Sequence, residues 1–302
     1  MALAAVLALA GIACGGTDEP TAGQTGRPAV SQETFTIGAI PDQDPEKLQR
    51  LYGTVATYLS QRLGVRVEYT PVTDYTAAVN LFRSGDLDMV WFGGLTGVQA
   101  RLQVKGSRAI LQRDIDEAFH SVFIVNTASG IEPLESVAEL SRLKGRRFTF
   151  GSESSTSGRL MPEYFLDQAG VRPADFSGQP GFSGSHDKTI ALVEAGTFEA
   201  GALNEQVWKS RVAAGQVDQS KVRAVFTTPA YHDYHWVIGP DAATRYGGDF
   251  VDRVTNAFTA LDAADPQGRE ILDLFGAQKF IPTQNGNYRQ IEEVARKAGL
   301  IL

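Results

Sequence analysis

From Thr34 onward, short runs of β-branched and aromatic residues alternate with stretches whose apolar positions recur at helical spacing. That alternation is the signature of an α/β architecture. Residues 35–38 read as a strand. Pro45 then opens a helix on which Leu48, Leu51, Tyr52, Val55 and Leu59 share a face, until Gly64 supplies a cap. Residues 65–69 form the next strand. Asp74 caps a helix carrying Val79, Leu81 and Phe82, Gly85 ends it, and residues 88–92 return as a strand into the loop Gly93-Gly94. One β-α-β-α-β lobe is complete by residue 110.

A second set follows a strand at 121–125. Residues 134–143 read as a helix, 147–150 as a strand, 154–158 as a polar turn and 159–169 as a helix ended by Gly170. Helices at 186–195 and 205–214 flank a strand at 201–203. A strand at 236–239 leads back into helices at 250–261, 269–275 and 288–297 that complete the first lobe. The expected organisation is therefore 34–118 plus 238–302 as one lobe, with 119–237 inserted as a second.

Ahead of the body, residues 2–13 form an apolar, small-residue run too short for a bilayer, which takes roughly 20 residues. It reads as a secretory signal over 1–13. Cys14-Gly15-Gly16 follows, and 14–33 is rich in Thr, Gly, Pro and Gln without periodicity, the composition of a flexible tether. A small residue before a cysteine with a soft linker behind it resembles the lipidation box of bacterial lipoproteins. Gly11 and the lack of a preceding Lys or Arg depart from that box.

Composition removes several classes of function. The 302 residues carry 28 Lys plus Arg against 35 Asp plus Glu, a net charge of −7, with no basic cluster to track a nucleic-acid backbone. Cys14 is the only cysteine, which excludes a disulfide framework, Cys-bound zinc and a cysteine nucleophile in the body. Gly-x-Ser-x-Gly, Walker, Gly-x-Gly-x-x-Gly and His-Glu-x-x-His motifs are absent. These absences favour a binding protein that needs no cofactor. The net charge does not oppose an anionic ligand, since a Debye length of about 8 Å leaves local donors dominant.

Two segments carry candidate chemistry. In Phe150-Gly151-Ser152-Glu153-Ser154-Ser155-Thr156-Ser157-Gly158 a strand ends, four consecutive hydroxyl residues gather and a helix starts behind them. The first N–H groups of a helix lack internal partners and carry the positive end of its dipole, so this is an anion site to which hydroxyls add donors. Ordinary capping would need one such residue. The second segment is Tyr231-His232-Asp233-Tyr234-His235-Trp236. Its histidines, with His186, offer metal ligands, anion donors or an aromatic-rich hinge strand. In strand geometry 232 and 234 face one way and 233 and 235 the other, so the two histidines would not converge.

These residues carry a family resemblance. Asp74-Tyr75, Asp88-Met89-Val90-Trp91-Phe92-Gly93, Ser155-Thr156-Ser157-Gly158 with Pro162 and Tyr164, then Gly184-Ser185-His186 and Asn204-Glu205, resemble the phosphonate and phosphite substrate-binding proteins of ABC importers. The resemblance implies a type II periplasmic-binding-protein fold: two α/β lobes, a two-strand hinge and a ligand in the cleft. It implies ligand contacts at Tyr75, Ser155, Thr156, Ser157 and His186. Phe92 stands where relatives often carry Tyr, and the family's acidic contacts align with Glu205 or Gln206 and with Asp233 or Tyr234. The segment around Asp233 also resembles a subgroup labelled selenate-binding.

The expectation is a lipid-anchored, monomeric, extracytoplasmic binding protein that hands a small tetrahedral oxyanion to a permease and its ATPase. Phosphite, phosphonate or phosphate is preferred, with selenate or sulfate as the other group. Rival readings are a sulfonate or pyrimidine-precursor binder, an enzyme on the same fold and a metal scavenger.

Overall fold

The apolar strands sort into two sheets, and the chain passes between the sheets twice. The structure, a computed structural model, describes residues 33–301, so the signal segment, Cys14 and the tether up to residue 32 lie outside the described residues. The chain begins with β1 (Phe35–Ala39), α1 (Pro45–Leu63), β2 (Val67–Tyr69), α2 (Tyr75–Ser84), β3 (Met89–Phe92), α3 (Gly94–Gln103) and β4 (Arg108–Arg113). It crosses over through β5 (Ser121–Asn126), β6 (Phe148–Phe150), α4 (Met161–Gln168), β7 (Gly181–Phe182), α5 (His186–Glu194), β8 (Ala200–Asn204), α6 (Glu205–Ala213) and β9 (Val222–Thr227). It returns through β10 (His235–Ile238), α7 (Ala242–Tyr246), α8 (Phe250–Thr259), α9 (Pro266–Phe275), β11 (Phe280–Pro282) and α10 (Arg289–Lys297).

Lobe 1 holds the sheet β11-β4-β10-β3-β1-β2 and lobe 2 the sheet β7-β6-β8-β5-β9. In lobe 1, β1 runs parallel to β2 and β3, whereas β10 is antiparallel to both of its neighbours. In lobe 2, β6 runs parallel to β7 and β8, and β5 is antiparallel to β8 and β9. Because His235 pairs with Phe92 on β3, the chain re-enters lobe 1 at His235, ahead of the expected boundary at 238.

Local chemistry sets the ends of the helices. The Asp44 carboxylate accepts from the Glu46 and Lys47 amides at 3.0 and 3.2 Å, and Pro45 occupies the first turn, where its missing N–H is no loss. Asp74 caps α2 through the Ala77 amide at 2.7 Å. Over Val137–Leu143 the expected α-helix is a 3-10 helix, whose three-residue period aligns its only buried residues, Leu140 and Leu143.

Four strands, β4, β7, β9 and β11, and two helices, α3 and α7, went unread in the sequence because they are short or polar groups interrupt their pattern. In β4, Gln112 and Arg113 are buried; Gln112 accepts from the Tyr288 hydroxyl at 3.0 Å and Arg113 is ion-paired. The segment read as a Gly93-Gly94 loop starts α3. Gly97 within α3 makes room for a neighbour: a Cβ there would lie 2.3 Å from Nε2 of the buried His235. The strands β9 and β11 are edge strands of their sheets, half-buried and without clean alternation.

The two crossing segments pair with each other. Phe119 and Tyr231 exchange backbone bonds at 2.8 and 3.0 Å, and the Asp233 amide donates to the Asp116 carbonyl at 3.2 Å. Beside them Arg113 grips Asp116 through Nε and Nη2 at 2.8 and 2.7 Å, and Nη1 reaches the Phe275 carbonyl and Gln206 Oε1 at 2.7 and 2.9 Å. Burial alone would lower the pKa of this guanidinium, but the Asp116 charge and hydrogen bonds outweigh it and raise the pKa. The main apolar core runs through lobe 1 and the near face of lobe 2, and a smaller one of Val122, Ile124, Ile190, Leu203 and Trp208 lies under α5 and α6.

Candidate functional site

In α/β sheets the carboxyl ends of the strands, where helix N-termini gather, are the usual place for ligands. Here the segments after β1, β3, β6, β7 and β8 meet between the lobes. The centre is the hydroxyl turn after β6. Thr156–Leu160 is a single π-turn that runs into α4, with the Leu160 amide bonded to the Ser155 carbonyl at 3.0 Å. Ser155 is the cap: its hydroxyl accepts from the Gly158 amide at 2.9 Å. The Thr156 and Ser157 amides remain without an intrahelical acceptor and form the positive end of the helix.

Pro162 shapes this turn from behind. It has no N–H to offer the Gly158 carbonyl, which instead accepts from the Gly151 amide at 2.8 Å and ties the turn to the end of β6. The two backbones lie so close that a Cβ on Gly158 would sit 3.1 Å from Gly151 Cα and 2.9 Å from Ser155 Oγ. Ser155, Thr156 and Ser157 are all buried.

A second helix N-terminus faces the turn from lobe 1. The Leu95 amide of α3 donates to Thr156 Oγ1 at 2.9 Å, and the Gly94 amide donates to Asp233 Oδ1 at 2.8 Å. A hydroxyl that accepts from Leu95 keeps its own hydrogen to donate. Asp233 is fully buried and its Oδ2 has no hydrogen-bond partner. Burial pushes its carboxyl up to about 7 against the pull of the Gly94 amide. Tyr75, the first residue of α2, brings a buried hydroxyl that also lacks a partner. Burial drives that phenol well above its ordinary pKa, with the nearby Asp42 charge adding to it and the neighbouring Ser155 hydroxyl opposing it.

Tyr234 and His186 lie beside this cluster, in a different role. The His186 Nδ1 accepts from the Asn204 amide at 3.3 Å, so Nε2 carries the proton and donates to the Tyr234 oxygen at 3.2 Å. Asn204 Nδ2 donates to the same oxygen at 3.2 Å, and the Tyr234 hydroxyl donates to Asp42 Oδ2 at 2.9 Å. Burial takes the imidazole down to about 4, and both ring nitrogens are engaged within the protein. The Tyr234 ring is held by Trp91, stacked at 5.9 Å, and by the Arg113 guanidinium 5.0 Å away.

Other expected residues fall elsewhere. Phe92 packs edge-on against Phe82 in the lobe 1 core. Glu205 stands at the start of α6, but its carboxylate is paired with Lys209 at 2.8 Å and reaches Thr227 at 3.4 Å, outside the cluster. The strand alternation expected for 232–235 does not hold, because the ladder of β10 starts only at His235 and no pairing imposes alternation before it. Asp233 and Tyr234 therefore both turn inward. His235 stacks on Tyr288 at 3.7 Å, and among the described residues no group of three or more His, Cys, Asp or Glu is placed to hold a metal ion. Sequence reasoning missed Asp42, the Arg113–Asp116 pair and the amides of α3. The available signal for Asp42 was a second aspartate beside the capping Asp44, just beyond the carboxyl end of β1.

Residues 37–288 match the family described as the periplasmic phosphonate substrate-binding protein of ABC transporters. The chain is 48% identical over 270 residues to the probable ABC transporter phosphite binding protein PhnD1 of Prochlorococcus marinus, covering 89% of this chain and 91% of that one. It superposes on the structure of PhnD1 in complex with methylphosphonate with a TM-score of 0.86, over 89% of this chain and 99% of the other, at 48% identity. The phosphate-import protein PhnD of Mycolicibacterium smegmatis is 27% identical over 235 residues, 74% of this chain and 70% of that one. The fold is thus that of the type II periplasmic binding proteins, and such proteins work outside the cytoplasm with a permease and an ATPase. The chain belongs to the periplasmic phosphonate substrate-binding proteins of ABC transporters.

Proposed function

We propose that this protein captures a phosphite- or methylphosphonate-sized oxyanion between its lobes and delivers it to its transporter as a monomer, tethered through a lipid on Cys14. The two lobes, close to 34–118 plus 235–302 and 119–234, swing about the paired crossing segments. The ligand oxygens take hydrogen bonds from Ser155, Thr156 and Ser157, from the free amides of the turn and from the Tyr75 hydroxyl. The Asp233 carboxylate faces an oxygen that carries a proton.

The observation that carries this reading is the pair of buried, unpartnered atoms, Tyr75 Oη and Asp233 Oδ2, beside a turn made of donors. One is a donor and the other an acceptor. An ionised carboxylate attracts a protonated oxyanion and repels one without a proton. Phosphite, phosphate and methylphosphonate can present an O–H near neutral pH; sulfate and selenate cannot. The histidines do not reverse this preference, because His186 and His235 are both buried and held neutral at that pH.

Calorimetry with phosphite, methylphosphonate, phosphate, sulfate and selenate at two pH values tests it. Phosphite or methylphosphonate is expected to bind at least tenfold more tightly than sulfate or selenate, about 1.4 kcal/mol. Sulfate or selenate binding above all three phosphorus anions would overturn the assignment of Asp233. For the tether, Cys14→Ser should release the protein from the membrane fraction with ligand affinity unchanged; retention would count against lipidation.

A further inference from the structure

The lobes are joined by a chain of hydrogen bonds in which Ser155, Thr156 and Ser157 take no part. Its centre is Asp42, in the loop between β1 and α1 of lobe 1. The Asp42 carbonyl accepts from the His186 amide at 3.0 Å, and His186 is the first residue of α5 in lobe 2. Its carboxylate accepts from the Tyr234 hydroxyl, on the crossing segment, at 2.9 Å. We propose that Asp42 is a positioning residue that holds the lobes shut over the ligand, gripping lobe 2 at the start of α5 and the crossing segment at Tyr234. The inference rests on the oxyanion-binding reading above.

Three features support it. The bonds run in one direction: the Asn204 amide donates to His186 Nδ1, His186 Nε2 donates to Tyr234, and Tyr234 donates to Asp42. Asp42 thus terminates a series of donors that starts on β8 of lobe 2 and has no other carboxylate at its end. The α5 cap residue, Ser185, spends its hydroxyl on the Lys188 amide at 3.4 Å, so the His186 amide is an orphan that Asp42 satisfies from the other lobe. Finally, Asp42, His186, Asn204 and Tyr234 are each no more than 3% exposed. Opening the lobes would part Asp42 from His186 and let water compete for each bond, so the chain biases the protein toward closure without locking it.

Interactions that form after encounter govern how fast a ligand leaves more than how fast it arrives. Asp42→Ala should therefore weaken binding of phosphite and methylphosphonate by about 10- to 30-fold, with the loss in the dissociation rate and the association rate changed less than about threefold. Asp42→Asn keeps an oxygen that can accept from Tyr234 and should stay within about threefold of wild type. Tyr234→Phe should reproduce the loss, and the double variant Asp42→Ala/Tyr234→Phe should be little worse than either single change, as for partners in one interaction. Losses that add, a loss confined to association, or an Asp42→Asn protein as weak as Asp42→Ala would overturn the proposal. If the wild type binds neither anion, the functional reading fails, and the latch is judged by small-angle scattering of ligand-free protein. A larger radius of gyration for Asp42→Ala than for wild type would support it, and equal radii would sink it.

Discussion

The hydroxyl turn and the crossing segment reach the lobe junction by different routes and bring opposite chemistry. Ser155, Thr156 and Ser157 sit at a helix start, fixed by a cap and by the tie between Gly158 and Gly151, and they offer donors. Asp233 and Tyr234 sit on an irregular stretch between paired strands, fixed by neighbours from both lobes, and Asp233 offers an acceptor. Donors on a rigid turn would hold any small oxyanion. Asp233, its carboxyl raised to about 7, is an acceptor above that pH and there restricts the choice to anions that bring a proton.

The donor half is tested by Thr156→Val, which keeps the shape but removes a hydroxyl. The expected cost is about 1.5–3 kcal/mol of binding, as for a hydrogen bond to a charged group. Because Ser155 and not Thr156 is the cap, the melting temperature should fall far less than affinity does. Equal loss of both in calorimetry and thermal unfolding would show that the turn serves the fold rather than the ligand.

The acceptor half is tested by Asp233→Asn. Its Oδ1 can still take the Gly94 amide, while the new Nδ2 can donate to a fully ionised anion. The preference for phosphite over sulfate should shrink by about tenfold, near 1.4 kcal/mol. A pH effect accompanies it. Burial raises the folded-state pKa of Asp233 to about 7 and that of Asp42 to about 6, both above the 3.8 of an unfolded aspartate. Between 3.8 and those values these two carboxyls hold more protons in the folded protein than in the unfolded chain, so their contribution to stability falls as pH rises through the window and levels off above it. The buried, neutral His186 and His235 pull the other way, because the unfolded chain takes up protons on them below about 6.5. The test is therefore a difference: ligand-free wild type should gain stability relative to Asp233→Asn as pH falls from about 7.5 to about 5.5. A difference between the two proteins that stays constant over that interval would contradict the placement of Asp233.

The smallest effect is expected at Glu205, an acidic group that stands outside the comparison. With its carboxylate on Lys209, Glu205→Gln should change affinity by less than about 0.5 kcal/mol, within the range of an exposed ion pair. A tenfold loss would bring Glu205 into the site.

How much of this was legible in the sequence follows from the kind of pattern each part leaves. Helix caps at Asp44 and Asp74 are local, one side chain bonding amides two or three residues on, and were readable. The hydroxyl turn was readable for the same reason, since four hydroxyl residues between a strand and a helix are contiguous in the chain. The acceptor half was not. Asp233 bonds Gly94 and Tyr234 bonds Asp42, 139 and 192 positions apart, and only the topology brings them together. His186 was singled out, yet both of its ring nitrogens are committed within the protein, which no spacing could reveal. Charges such as Arg113 and Asp116 read as solvent-facing until a partner three residues away allows both to be buried.

The missing N–H of Pro162 has a consequence in time. By leaving the Gly158 carbonyl to the end of β6, it makes the turn part of the lobe 2 sheet, assembled whether or not lobe 1 is near. Tyr75 and the start of α3 reach the turn from lobe 1. If the anion binds as proposed, it would find a finished half-site on lobe 2, and loading would proceed as docking there followed by closure of lobe 1. On that reading, capture would depend on encounters with a surface that lobe 2 presents by itself.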